Sequence, residues 1–398
     1  MTRSEPSAAA TQEFVRRIHG AGTRLVLVTT GGASQAIPAL LTVPGASRTV
    51  LEAAVPYSAA ALMVWLKTEP ENFCSEHTAR LMAMAAYQRA TAYAQREPSG
   101  GNVVGVACTA SLASDRPKLG AHRIHVAAQS AEFTAVASLE LSKGVRDRGG
   151  EELLAAQLLL NMVARACALK DRVSLELQTS EHVIEEETVA PVPWRQLFAG
   201  ERNIVQANES RAMTSAQQTI DSARPSIPAR RAIFPGAFHP LHDGHRRMAQ
   251  VAAEQLHTSI EWELSITNVD KPPLDFHEIR LRSAQIPPAA PLWLTRAPTF
   301  LEKARLFPDS TFIVGIDTAK RIAEPRYYHD AVECAAAITG IAAAGCRFLV
   351  FGRKTAEGFE MLADLSLPPG LREICEQVPA GTFREDISST ELRRKSGQ

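Results

Sequence analysis

Three histidines fall within seven residues of this chain, in the stretch Gly236-Ala237-Phe238-His239-Pro240-Leu241-His242-Asp243-Gly244-His245. Imidazole N–H groups grouped this closely can hydrogen-bond phosphate oxygens that gain charge during a reaction. Gly236 permits a tight turn with close backbone approach, and Pro240 stiffens the loop. The flanking sequence reads as a strand over Arg231–Phe234 and a helix over Gly244–Gln255. A strand-to-helix turn places free N–H groups and the positive end of a helix dipole beside the histidines, which favours an anion. The same three histidines could instead ligate a metal, but no cysteine or paired carboxylate completes such a set, so no metal site is expected. Asp243 also reads as a helix cap.

Two further segments carry compatible chemistry. Ile387-Ser388-Ser389-Thr390-Glu391-Leu392-Arg393 combines hydroxyl donors at a helix start with a forked cation one turn on. Alone it would be an ordinary N-cap. Phe312-Ile313-Val314-Gly315-Ile316-Asp317 reads as a strand ending in Gly-x-Asp, where the aspartate faces a ligand or simply caps the next helix. Lys271, Arg280 and Arg282 form a looser basic group that fits either acceptor phosphate or a solvated face.

The 236–245 stretch resembles the nucleotidyltransferase superfamily, whose hallmark is G-x-F-x-P-x-H-x-G-H. Gly236, Phe238, Pro240, His242, Gly244 and His245 match every fixed position. Residues 387–393 resemble the family's ISST-x-[I/L]-R phosphate motif. Gly315 and Asp317 resemble the G-x-D of nicotinate and nicotinamide mononucleotide adenylyltransferases. The resemblance implies that His242, His245 and Arg393 carry catalysis. It implies that Gly236, Ala237, Phe238, His239, Gly244, Asp317, Ser388, Ser389 and Thr390 bind nucleotide, and that Lys271, Arg280 and Arg282 bind the acceptor. The implied reaction moves an adenylyl group from ATP, accompanied by Mg2+, to nicotinate or nicotinamide mononucleotide and releases pyrophosphate. Cytidylyltransferase or pantetheine-phosphate adenylyltransferase activity is the nearest alternative. A non-catalytic nucleotide-binding scaffold is another.

The elements that must position these residues form an α/β pattern from Arg231 onward. Strands are expected at Arg231–Phe234, Ile260–Ile266, Leu292–Thr295, Thr311–Val314 and Arg347–Phe351. Helices are expected at Gly244–Gln255, His277–Gln285, Thr299–Leu306 and Tyr328–Ile341. This alternation predicts a doubly wound, Rossmann-like parallel sheet with ligands beyond the strands' carboxyl ends.

A separate α/β lobe precedes it, with strands at Arg24–Thr29, Asn102–Cys108 and His122–Ala128 and helices at Ala33–Leu41, Glu76–Gln95 and Glu151–Leu169. Thr30-Gly31-Gly32, Pro44-Gly45, Tyr57-Ser58 and Val104-Gly105-Val106-Ala107 resemble the C-terminal domain of CinA-like proteins, a family that includes nicotinamide mononucleotide deamidases. Two functional positions depart from it. The family's E-S-C-T-G-G reads Leu27-Val28-Thr29-Thr30-Gly31-Gly32, so Val28 replaces the nucleophilic serine. Its Y-S-N-E-A-K reads Tyr57-Ser58-Ala59-Ala60-Ala61-Leu62, so Leu62 replaces the lysine. Valine has no oxygen with which to attack an amide. The lobe is therefore expected to lack deamidase activity and to serve binding, homo-oligomerisation or support. The expected division is 1–180 for this lobe, 181–229 for a linker with a docked segment at Trp194, Leu197 and Phe198, and 230–398 for the nucleotidyltransferase lobe.

Bulk composition agrees with a globular chain. Of 398 residues, 45% are hydrophobic and 22% charged, and 43 Lys+Arg balance 43 Asp+Glu. A nucleic-acid-coating protein needs a basic surplus, so no nucleic-acid partner is expected, and the family resemblance implies small-molecule nucleotides as partners. No apolar run reaches the ~18 residues of a membrane helix. Six cysteines without C-x-x-C spacing read as free thiols in a reducing compartment, which predicts a cytoplasmic protein.

Overall fold

The computed structural model describes residues 8–97, 101–116, 118–207, 230–269, 271–328, 330–355 and 358–383. The chain divides into two compact units: Met1–Ala190 with Asp270–His277, and Pro191–Val269 with Glu278–Gln398.

The first unit contains α1 (Ala8–Gly20), β1 (Arg24–Thr30), α2 (Ala36–Leu41), β2 (Val50–Ala54), α3 (Ala59–Leu66), α4 (Glu76–Arg96), β3 (Val103–Ser111), β4 (His122–Gln129), β5 (Phe133–Leu141), α5 (Arg148–Ala166) and β6 (Val183–Val189). Its sheet has the order β2-β1-β3-β4-β5-β6. β2, β1 and β3 run parallel, and β3 to β6 pair antiparallel. Side chains of β1 alternate between two apolar layers, as a pleated strand covered on both faces must. Leu25 and Leu27 join Val15 and Ile18 of α1 and Leu158 and Leu159 of α5. Val26 and Val28 join Leu62 and Leu66 of α3 and Met82, Ala83 and Ala86 of α4.

In the first unit, local chemistry moves two helix starts from their expected places. α2 begins three residues late because Ala33 is left-handed (φ 64°) and the Glu152 carboxylate accepts from the Ala33 and Gln35 N–H groups. α5 begins three residues early because Asp147 caps it, accepting from Gly150 N–H at 2.8 Å.

The stretch expected to be a linker is structured over its first part. β6 lies on the sheet edge, where Glu185 and Glu187, two apart and hence on one face, both pair with Arg165 of α5. This acidic run, expected within the linker, is an ion-paired edge strand. Further on, α6 (Val192–Ala199) and β7 (Ile204–Gln206) belong to the second unit, with β7 antiparallel to β10 (Leu292–Thr295).

The second unit continues with β8 (Ala232–Pro235), α7 (Asp243–Leu256), β9 (Ile260–Ser265), α8 (Phe276–Gln285, in this unit from Glu278 onward), then β10, α9 (Phe300–Leu306), β11 (Thr311–Gly315), α10 (Ile316–Ile322), α11 (Ala331–Ala343), β12 (Arg347–Phe351), the hairpin β13 (Arg353–Thr355) and β14 (Gly358–Glu360), α12 (Pro369–Glu373) and β15 (Cys375–Gln377). The sheet order is β15-β12-β11-β8-β9-β10-β7, and all strands but β7 are parallel. Successive strands run outward from β8 to β10 on one side and from β11 to β15 on the other. This is the doubly wound, Rossmann-like order expected from the sequence. Phe312, Phe348, Val314 and Val350 form its core with Ile338 and Ile341 of α11. No helix among the described residues is long and apolar enough to cross a membrane.

Candidate functional site

The strand order of the second unit reverses between β8 and β11, which are hydrogen-bonded neighbours. Connections leave these two carboxyl ends in opposite directions, so a crevice opens there, and ligands of such sheets bind in it. The histidine loop leaves β8 at this point, and Gly315 and Asp317 leave β11.

The loop is folded over its own aromatic residue. Phe238 is left-handed (φ 46°), an unusual state for a bulky residue, and its ring is buried. The ring packs edge-on against Phe234 (5.7 Å), Trp262 (5.1 Å) and His245 (5.6 Å). It also lies across Gly236, where a Cβ would stand 2.4 Å from it. Only glycine fits beneath the ring. The His239–Pro240 peptide is cis. Gly236 N–H donates to the Glu263 carbonyl at 3.0 Å. The Glu263 carboxylate is fully buried, and Lys303 Nζ donates to both its oxygens at 2.7 Å.

His242 caps α7 and His245 stands three residues later, with ring centroids 3.8 Å apart. The His242 N–H donates to His245 Nδ1 at 3.3 Å, as the third residue of a capping box does with a carboxylate. Burial, helped by the neighbouring His242, pushes the His245 pKa down to about 4. The ring is therefore neutral at pH 7. With Nδ1 accepting, its proton sits on Nε2, which makes Nε2–H a donor. A neutral donor beside the first N–H groups of α7 can stabilise negative phosphoryl oxygens without a titratable charge.

The other expected residues divide into those at this crevice and those used elsewhere. Asp317 is half-exposed on the first turn of α10 and pairs with Arg353 of β13. Lys320 pairs with Glu360 at 2.6 Å, a second tie between α10 and the hairpin. Arg353 was not anticipated from the sequence, although it is a cation immediately beyond the carboxyl end of a parallel strand. Arg282 is buried, donating to Glu278 at 2.8 Å and to the Ala237 carbonyl at 2.9 Å. It holds the loop and is not an open phosphate ligand. His239 Nδ1 lies 3.1 Å from the buried Glu278 carboxylate. Ala237, Lys271 and Arg280 are exposed, and Gly244 is buried. Ser388, Ser389, Thr390 and Arg393 lie outside the described residues. Among the described residues, no group of three His, Cys, Asp or Glu side chains could hold a metal ion.

Residues 233–395 match the family described as cytidylyltransferase-like. This part of the chain is a cytidylyltransferase-like domain. A comparison with curated proteins finds no match. Among solved structures, the chain is similar to the competence/damage-inducible protein CihA of Agrobacterium tumefaciens, at 21% identity over 43% of this chain and 100% of that one, with a TM-score of 0.31. It is also similar to CinA-superfamily proteins of Escherichia coli (17% identity; 42% and 94% covered; TM-score 0.32) and Enterobacter cloacae (16%; 42% and 95%; 0.32). These neighbours cover the N-terminal part, outside the cytidylyltransferase-like domain.

In the first unit, the two positions that depart from the CinA-like pattern lie in one apolar layer. Val28 is fully buried and Leu62 nearly so, both in the cluster with Val26 and Ala107. The positions where the pattern carries a nucleophile and a lysine are packed hydrocarbon. At the carboxyl end of β1 a cavity of about 280 Å³ remains, lined in part by Thr29, Thr30, Gly31, Tyr57 and Arg148.

Proposed function

We propose that this chain transfers an adenylyl group from ATP to a phosphorylated acceptor, nicotinate or nicotinamide mononucleotide, and releases pyrophosphate. The observation that carries this reading is the His242–His245 pair at the switch point of a cytidylyltransferase-like domain, with the neutral His245 Nε2–H left to donate. The choice of acceptor rests on the Gly-x-Asp at Asp317 and on the CinA-like motifs of the first unit.

In this mechanism an acceptor phosphate oxygen attacks the α-phosphorus in line. The new P–O bond forms as the bond to the bridging α–β oxygen breaks, and pyrophosphate leaves with that electron pair. No protein nucleophile is needed, so catalysis consists of positioning and of stabilising charge. His242, His245 and the start of α7 hold the donor phosphates. Ser388, Ser389, Thr390 and Arg393 are assigned to the β and γ phosphates, and Asp317 to a ribose or the acceptor. Mg2+ bound to ATP would supply charge neutralisation.

Incubating the full chain with ATP, CTP or GTP against a panel of phosphorylated acceptors, and measuring pyrophosphate release, tests the proposal. ATP with a pyridine mononucleotide is the expected pair. The cytidylyltransferase-like match favours CTP as the second candidate donor, and turnover with CTP alone would replace the adenylyl assignment. Triphosphate binding with no release in any combination would leave a scaffold instead.

The first unit is assigned a non-hydrolytic role. The full chain is expected to release no ammonia from nicotinamide mononucleotide, because Val28 and Leu62 offer neither nucleophile nor base. Ammonia release that persists in a His245→Ala variant would refute this.

A further inference from the structure

We propose that one face of α8, made by Glu278, Arg282 and Gln285, is a positioning clamp for nucleotidyl transfer, holding the histidine loop where His242 and His245 can meet a triphosphate. This inference rests on the function proposed above.

The three residues follow i, i+4, i+7 spacing and so share one side of the helix. Between them they fasten four of the loop's five residues from 237 to 241. Arg282 donates to the Ala237 carbonyl at 2.9 Å. Gln285 Nε2 donates to the Phe238 carbonyl at 3.2 Å, and Gln285 Oε1 accepts from the Leu241 N–H at 2.8 Å. Glu278 Oε1 lies 3.1 Å from His239 Nδ1 and also accepts from Arg282 Nε.

The loop needs such fastening. It passes through a left-handed Phe238, so its backbone groups cannot pair as a helix or a strand would. The Phe238 ring anchors one side of the loop against Phe234 and Trp262. The α8 face anchors its backbone. Gln285 has a part that few residues could fill, because one amide must both donate, to Phe238, and accept, from Leu241 just before the His242 cap. Arg282 and Glu278 compensate each other's buried charge, so removing either would upset a buried ion pair and threaten the fold. Gln285 is neutral and only half-buried, which makes it the residue to change.

Gln285→Met preserves length and removes both bonds, while Gln285→Glu keeps the acceptor for Leu241. Two readouts apply to the full chain: kcat and KM with the best substrate pair, and the titration midpoint of the His245 ring by NMR without ligand. Gln285→Met is expected to lower kcat about 10–100-fold, the scale of a ~1 Å misplacement, with KM for the triphosphate changed less than about threefold. Its His245 midpoint should rise from about 4 toward the ordinary value of about 6.5 as the ring loosens from its buried seat. Gln285→Glu should fall between Gln285→Met and the parent on both measures. An unmoved midpoint overturns the clamp whatever kcat does, and so does a kcat equal to the parent's. If no substrate pair turns over, the proposed reaction fails, and the midpoint alone then decides whether α8 holds the loop.

Discussion

His245→Ala lowers turnover at least ~10²-fold while the chain stays folded. The ring supplies one preorganised donor, Nε2–H, and the cost of losing such a donor from a phosphoryl site is typically ~10²–10³. It also supplies the acceptor for the His242 N–H, so alanine loosens the cap as well. Stability should suffer little, because residue 245 lies in the first turn of α7 and alanine suits a helix. The measurement is pyrophosphate release alongside a thermal melt. Its pH dependence adds a second condition. A pKa lowered to about 4 leaves the ring neutral from pH 5.5 upward, so its contribution to kcat should be flat between about pH 5.5 and 8. A His245-dependent loss of kcat as pH rises through 6–7 would show the ring acting as a cation. Near-normal turnover in the alanine variant would remove the loop from the mechanism altogether.

Gly105→Ala destabilises the first unit by about 3 kcal/mol or more. Gly105 lies in β3, paired with Val26 of β1 and Gln129 of β4. A Cβ there would stand 2.1 Å from the Ala83 carbonyl oxygen and 2.2 Å from the Tyr87 nitrogen. Both atoms are α4 backbone, so no rotamer change relieves the clash. The helix can approach because Ala79, Ala83, Ala86 and Ala90 line its buried side. A methyl on the strand must push the whole helix outward and open the layer that holds Val28 and Leu62. At about 2–4 °C per kcal/mol for a unit of this size, the melting temperature of the full chain should fall by about 6–12 °C. A melt within about 2 °C of the parent would mean that α4 does not rest on Gly105.

The histidine loop was legible because its chemistry is local. Six fixed residues within ten positions, between a strand and a helix, are visible in one dimension. The parallel strands flanking it were legible too, since their apolar runs are short and separated by amphipathic helices. The strand that carries the acidic run at 185–187 is not legible in the sequence for the opposite reason. Glu185 and Glu187 look solvated until Arg165, far off in sequence, is brought beside them. Arg282 was misassigned in the same way. Its charge suggested phosphate, but its partners Glu278 and Ala237 become visible only when α8 lies along the loop.

By itself the sequence determined that a glycine-bearing, histidine-rich turn ends a buried strand, and that Val28 and Leu62 replace two reactive side chains in the first unit. Those are facts of residue type and spacing. Tertiary structure alone decided which histidine nitrogen is left to donate, that Asp317 meets Arg353, and that Gln285 fastens the loop. Each of those depends on the distance between atoms remote in the chain. A hydrogen bond extends over about 3 Å, and no periodicity in a sequence encodes a length that short between elements that meet only on folding.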